Sequence, residues 1–245
     1  MYLVLPLRAA IRYFIVLVLV FGIPSVTGYS ISLKGEKAVL TTAPAPVYQG
    51  SAKKRAVALT VNVDWGEEYL PQMLQILKES KVRATFFLGG RWVERHPELA
   101  REVARDFEVG NHGYAHHHPD RLSVAQNLAE LRRAEAVIQR VTKKRPQLFA
   151  PPYGECSPAV LEAAAQAGYR VILWSIDPVD WRQPPAAAIS SKVISQAHNG
   201  AIVLLHPTAP TVEALPGVIK ELTGRGFELV TVSELLAEPK TGRGG

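Results

Sequence analysis

From Ala56 onward the chain moves back and forth between two hydrophobic rhythms. Ala56-Val57-Ala58-Leu59-Thr60-Val61-Asn62-Val63 is a nearly unbroken run of small and β-branched residues, the pattern of a parallel strand covered on both faces. Similar short runs follow at Arg83–Leu88, Phe107–Gly110, Gln147–Ala150, Tyr169–Ser175, Ala201–Leu205 and Glu228–Val232. Between them apolar residues recur at helical spacing. Leu70, Met73, Leu74 and Leu77 follow Pro71, a helix is expected around Pro97 to Arg105, and Val124, Leu128, Leu131 and Ile138 mark the face of a long one. Ser157 as N-cap, Pro158 at the first position and Gly168 beyond the end punctuate another. A helix through Val218 to Leu222 closes at Gly224, and Ser233 is placed to cap a last one. Roughly seven strand–helix units argue for an α/β chain, a (β/α) barrel or failing that a doubly wound open sheet.

The segment before Ala56 reads differently. Arg8 and Arg12 precede the apolar run Tyr13 to Phe21, and small residues lead to Gly28, so residues 1–28 read as a signal peptide or an N-terminal membrane anchor. The positive flank predicts an extracytoplasmic remainder, secreted or held at the cell membrane. Residues 29–55 read as a linker and 56–240 as the folded domain. The 245 residues carry a formal charge of +6 without a basic stripe interleaved with aromatics, so nothing calls for a nucleic-acid partner. The single cysteine, Cys156, rules out an internal disulfide.

Polar residues gather just after the strands: Asn62, Asp64 and Glu67; His112 and His116; Tyr153, Gly154 and Glu155; Asp177, Asp180 and Trp181; His206. Each alone could be a helix cap or a surface loop. Together they should meet at one mouth of the sheet. His112 and His116 stand four apart, so on a helical turn both imidazoles would face one way and could share a cation. His117 and His118 read as exposed neighbours.

These residues resemble the motifs of the polysaccharide deacetylases of the NodB-homology type, and more narrowly the sporulation-associated branch. The resemblance runs from about Ala56 to Leu236. It is carried by Thr60-Val61-Asn62-Val63-Asp64-Trp65-Gly66, His112-Gly113-Tyr114-Ala115-His116, Ala150-Pro151-Pro152-Tyr153-Gly154, Asp177-Pro178-Val179-Asp180-Trp181 and Leu204-Leu205-His206. It implies a single catalytic domain folded as a distorted (β/α)7-type barrel, and amide hydrolysis assisted by a divalent metal, usually zinc. On that pattern His112, His116 and Asp64 would hold the ion, and His206 would be the general acid, oriented by Asp180. Tyr153 would bind the oxyanion through its backbone amide, and Trp181 and Leu204 would wall the acetyl pocket.

The departures narrow this picture. Counted from Thr60, the family's general-base carboxylate is Asn62 and its metal carboxylate is Val63. Counted back from Gly66, Asp64 holds the base position and Trp65 the ligand position. Asp64 is thus base or metal ligand; we assign it to the metal, because two imidazoles alone bind a divalent ion weakly. Asn62 becomes a substrate-binding position. The arginine that would hold the base is Ala150. Glu67, Glu155 and Asp177 are substitute bases. The expected function is N-deacetylation of an N-acetylated envelope or spore glycan, peptidoglycan or chitin-like. The rival is a catalytically silent glycan-binding or structural protein on the same fold.

Overall fold

The computed structural model describes residues 43–237; the expected signal or anchor and most of the expected linker lie outside them. β1 (Ala56–Val63) is buried along its whole length, as its unbroken apolar run requires. Six further strands join it in one seven-stranded, wholly parallel sheet: β2 (Thr85–Leu88), β3 (Glu108–Asn111), β4 (Leu148–Phe149), β5 (Arg170–Val171), β6 (Ala201–Leu205) and β7 (Glu228–Val230). Their order is β5-β4-β3-β2-β1-β6. One edge of β1 is shared, Ala56–Ala58 pairing with β7 and Thr60–Val63 with β2. The sheet curls until Ile176, just past β5, forms an isolated bridge to Val203 of β6. The barrel expected from the sequence is therefore a curled half-barrel whose edges are drawn together at Ile176.

Helices α1 (Leu70–Glu79), α2 (Gly90–Arg95), α3 (Pro97–Asp106), α4 (Val124–Thr142), α5 (Pro158–Ala167), α6 (Ala186–Gln196), α7 (Ala209–Gly224) and α8 (Val232–Leu236) fill the connections. Strand parity divides the core. The odd residues of β1, Val57, Leu59, Val61 and Val63, pack with α1, α3 and α7 residues such as Leu74, Val103 and Leu215. The even residues Ala56 and Ala58 face inward with Phe87, Leu148, Ala150, Ile172 and Ile202.

Several local expectations change. Gln49 bridges Ala201 and Val47 bridges Ile172, so the end of the expected linker is docked on the sheet rather than free. Tyr169–Ser175 forms only a two-residue strand, because the chain leaves β4 there to reach β6. The last helix is capped by Thr231, in a capping box with Glu234, rather than by Ser233. Ser157 stands at the N-cap of α5 as expected, yet its hydroxyl caps nothing and is buried without a partner.

Candidate active site

Parity also decides what reaches the mouth of the half-barrel. Asn62 shares the inner face of β1 with Ala56 and Ala58, whereas Val63 is fully buried in the outer helical layer. A cavity of ≈ 370 Å³ opens at the C-terminal ends of the strands. Its wall is Asn62, Trp65, His112, His116, Tyr153, Trp174, Asp177, Trp181, Leu204 and His206. Of the residues anticipated at the site, Asp64, Asp180 and the substitute bases Glu67 and Glu155 do not line this cavity.

Asp180 is fully buried directly behind His206. Its Oδ1 lies 2.8 Å from Nδ1 of His206, and its Oδ2 accepts from the backbone N–H of His206 at 2.6 Å and from Oγ1 of Thr211 at 2.7 Å. A carboxylate opposite Nδ1 fixes the ring so that Nε2 is the nitrogen free to face substrate. Trp65 lies parallel to the same ring, with 2° between planes and centroids 5.7 Å apart.

His112 follows β3 and is 2% exposed. Its Nδ1 lies 2.7 Å from the Ala150 carbonyl. A carbonyl can only accept, so Nδ1 carries the proton and Nε2 is the bare nitrogen. Burial, reinforced by nearby His116, pushes the imidazole pKa down to about 3. The helical turn expected at 112–116 does not form. Gly113 at φ +77° and His116 at φ +54° break it, yet the two rings still meet with centroids 5.0 Å apart. Burial lowers the pKa of His116 as well, against the pull of Asp64.

Asp64 sits past the end of β1. Burial raises its pKa against the opposing charges of His116, Arg91 and Arg95. Its Oδ1 is buried without a hydrogen-bond partner, an orphaned acceptor of the kind a cation would satisfy. But this oxygen is turned to Gly89, where a Cβ would stand 2.4 Å from it, and Asp64 does not line the cavity. Among the described residues no three His, Cys, Asp or Glu side chains converge to hold a metal ion. As placed, these donors do not fit a three-ligand centre.

Of the substitute bases only Asp177 lines the cavity, with its Oδ1 accepting from the Val179 N–H at 2.7 Å. Glu67 is turned to His96 on the outside, 3.6 Å away. Glu155 is bound to His118 at 2.7 Å, and His118 stacks on Tyr153 at 3.9 Å between centroids. His118 is therefore a support for the cavity wall and not a bystander; His117 is exposed as expected.

Two features were missed from sequence. Asn111 donates to Tyr169 Oη and to the Leu131 carbonyl, both at 3.0 Å, and accepts from the Gly113 N–H at 2.8 Å. Tyr169 in turn donates to Glu135 at 3.0 Å, so a buried chain of polar groups holds the His112 loop from below. A polar Asn closing a buried strand was its only signal. Second, of six non-glycine residues at positive φ among the described residues, His116, Tyr153, Val179 and Gln183 belong to the site loops. Such strain collects where surrounding structure fixes a functional shape.

The family model for polysaccharide deacetylase matches residues 49–172 of the 245. The chain belongs to the polysaccharide deacetylase family. It is 36% identical over 190 residues to a peptidoglycan-N-acetylglucosamine deacetylase of Bacillus cereus, covering 75% of this chain and 89% of that one. It is 39% identical to the uncharacterized protein YlxY of Bacillus subtilis over 80% of this chain, which spans 62% of YlxY. Among solved structures, BA3943 of Bacillus anthracis, described as a CE4 family pseudoenzyme, superposes with a TM-score of 0.78 at 40% identity, over 80% of this chain and 70% of that one. A mutant of BA3943 is described as having restored enzymatic activity. Members of the family are in general divalent-metal dependent.

Proposed function

We propose that this chain binds an N-acetylated glycan of the cell envelope, of peptidoglycan or chitin-like type, and does not hydrolyse its amide. Asn62 carries this reading. It stands on the cavity floor where amide hydrolysis needs a group to take the proton of the attacking water, and a carboxamide cannot do so at neutral pH. Its Oδ1 is buried and unpaired, and Ala150, 3% exposed, stands where the resemblance calls for an arginine. An arginine there without a carboxylate at 62 would be a buried unpaired charge, costing several kcal/mol. Base and arginine have gone as a pair. The similarity to BA3943, and that protein's description as a pseudoenzyme, supports the same view. Zinc, which the resemblance implies, would be held weakly by His112 and His116 alone. An extracytoplasmic location, through the N-terminal apolar segment, belongs to the proposal.

The second reading is hydrolysis. The His206–Asp180 pair favours it, being the arrangement by which an imidazole Nε2 is set to protonate a departing amine. Asp177 would then be the base. Acetate release from peptidoglycan and from N-acetylglucosamine oligomers decides between them. We expect none from the full chain; release from Asn62→Asp combined with Ala150→Arg would show that the absent base pair alone separates this chain from a hydrolase. Release by the wild-type chain, abolished in Asp177→Asn, establishes the second reading.

A further inference from the structure

We infer that the end of the half-barrel opposite the cavity docks on an anionic phospholipid surface. Charge is sorted along the strand direction. Among the described residues, none of the loops leading into the seven strands contains an Asp or a Glu. They hold Lys53, Lys54 and Arg55 before β1, Lys81 and Arg83 before β2, Lys143, Lys144 and Arg145 before β4, and Arg225 before β7. Arg170 opens β5. The loops that leave the strands are the reverse. Asp64, Glu67 and Glu68 follow β1, Asp120 follows β3, and Glu155, Asp177 and Asp180 follow β4 and β5, against Arg121 and Arg182. Opposite charge at the two ends gives the domain a preferred orientation at a charged surface.

Part of the basic end is neutralised within the protein. Arg83 pairs with Glu228 and Glu234, Arg145 with Glu135 and Arg225 with Glu221. Lys54 and Arg55 are turned onto main-chain carbonyls of α8 and of Arg225. Lys53, Lys81 and Arg170 meet no carboxylate among the described residues, and the ammonium groups of Lys143 and Lys144 reach only the carbonyls of Arg140 and Phe107. All five are exposed. Beside them runs a groove between the starts of β3–β5 and α8, with two lobes of ≈ 380 and ≈ 360 Å³ that share Gln147, Leu148 and Ser233. Lys144, Arg145 and Arg170 stand along it, with Val109, Leu148 and Leu236 as apolar wall. Its one acid, Glu108, already accepts from Thr85 Oγ1 at 2.6 Å and from the Ser233 N–H at 3.3 Å. Cations next to an apolar wall match a phospholipid, whose phosphate adjoins a glycerol–acyl junction; a soluble polyphosphate would use the cations alone. Only residues 29–42 lie between the expected anchor and Ala43, which presents a membrane at high effective concentration. Docked by this end, the domain turns the mouth of the cavity away from the lipid. This goes beyond the glycan reading, and either can fail without the other.

The test is lysine footprinting of the full chain reconstituted with vesicles of phosphatidylcholine alone or of phosphatidylcholine and phosphatidylglycerol. Acetylation by N-hydroxysuccinimide acetate is followed at each lysine by mass spectrometry. Lys53, Lys81, Lys143 and Lys144 should react at least about fivefold more slowly with phosphatidylglycerol present, the contribution of one cation near an anionic surface. Lys192 on α6 should react equally in both. In 1 M NaCl, where the screening length falls to about 3 Å, the protection should disappear. Lys144→Gln combined with Arg170→Gln, both on exposed positions, should weaken docking by about twenty-five-fold and release Lys53 and Lys81. Arg121→Gln, at the other end, should change nothing. Equal rates in the two lipid mixtures, protection spread equally to Lys192, or protection that survives the double substitution overturns the docking surface. Equal protection by soluble poly(glycerol phosphate) with phosphatidylcholine vesicles overturns the lipid assignment and makes the face a polyanion site.

Discussion

Replacing Asp180 with alanine tests whether the His206–Asp180 pair is kept for chemistry or for structure. The carboxylate accepts three hydrogen bonds, from His206 Nδ1, His206 N–H and Thr211 Oγ1, and it is fully buried. In Asp180→Ala the Thr211 hydroxyl can still pair with Thr208 Oγ1, 2.7 Å away. The two donors of His206 are left facing a hole. Leaving buried polar groups unpaired costs about 1–3 kcal/mol each, and breaking a buried charged pair typically costs about 3–5 kcal/mol. We expect about 3–5 kcal/mol lost in urea unfolding, with unchanged m-value, and a fall in Tm of about 2–4 °C for each kcal/mol. Asp180→Asn, which keeps one acceptor, should lose less than half as much. A loss under about 1 kcal/mol in Asp180→Ala would refute this reasoning. It would mean that other contacts hold the loop carrying Trp181, and that the carboxylate is retained for His206 alone.

Three further outcomes follow from the same geometry. Ala150→Arg alone should cost several kcal/mol, and adding Asn62→Asp should return a large part of it, so that a double-mutant cycle in urea shows favourable coupling; additive effects would place the two positions out of reach of each other. His112 has an unfolded pKa near 6.5 and a folded one of about 3, so between those values the unfolded chain binds a proton that the folded chain refuses. Its contribution is complete above about pH 6.5 and is lost as pH falls, by up to about 5 kcal/mol, and His112→Gln should flatten that slope in unfolding measured from pH 7 to pH 4. Zinc added to the metal-free chain should bind well below stoichiometry at micromolar concentration; tight stoichiometric binding abolished by Asp64→Ala would show that Asp64 swings from Gly89 to join the histidines.

What could be read from the sequence was what depends on periodicity and on position at strand ends. The run from Ala56 to Val63 announced a buried strand, and of the polar residues expected after the strands Asn62, His112, His116, Tyr153, Asp177, Trp181 and His206 line one cavity. What could not be read depended on tertiary choice. α7 runs from Ala209 to Gly224 straight through Pro216, where propensity argues for a break, because Thr208 caps an earlier start and Leu215, Val218 and Leu222 bury one continuous face. α2 and α6 were invisible, being short or alanine-rich without a strong apolar stripe. The histidine turn failed as a helix because Gly113 takes a left-handed conformation, which the spacing of His112 and His116 cannot reveal.

Strand parity between Thr60 and Gly66 explains why one carboxylate cannot do two jobs here. Side chains alternate along a strand: Asn62 takes the inner face and Val63 is committed to the outer core. Asp64 has the inner parity too, but β1 ends at Val63, and the chain then turns at Gly66, φ +84°, where a Cβ would stand 2.2 Å from the Pro207 carbonyl oxygen. That turn carries Asp64 sideways to Gly89 and Trp65 across the mouth onto His206. The polar group that β1 sends into the cavity is thus an amide, and the residue brought across its mouth is an indole. Under the glycan-binding proposal, point substitution toward hydrolysis begins at Asn62, because moving Asp64 inward would require β1 to extend by a residue and Trp65 to vacate the cavity.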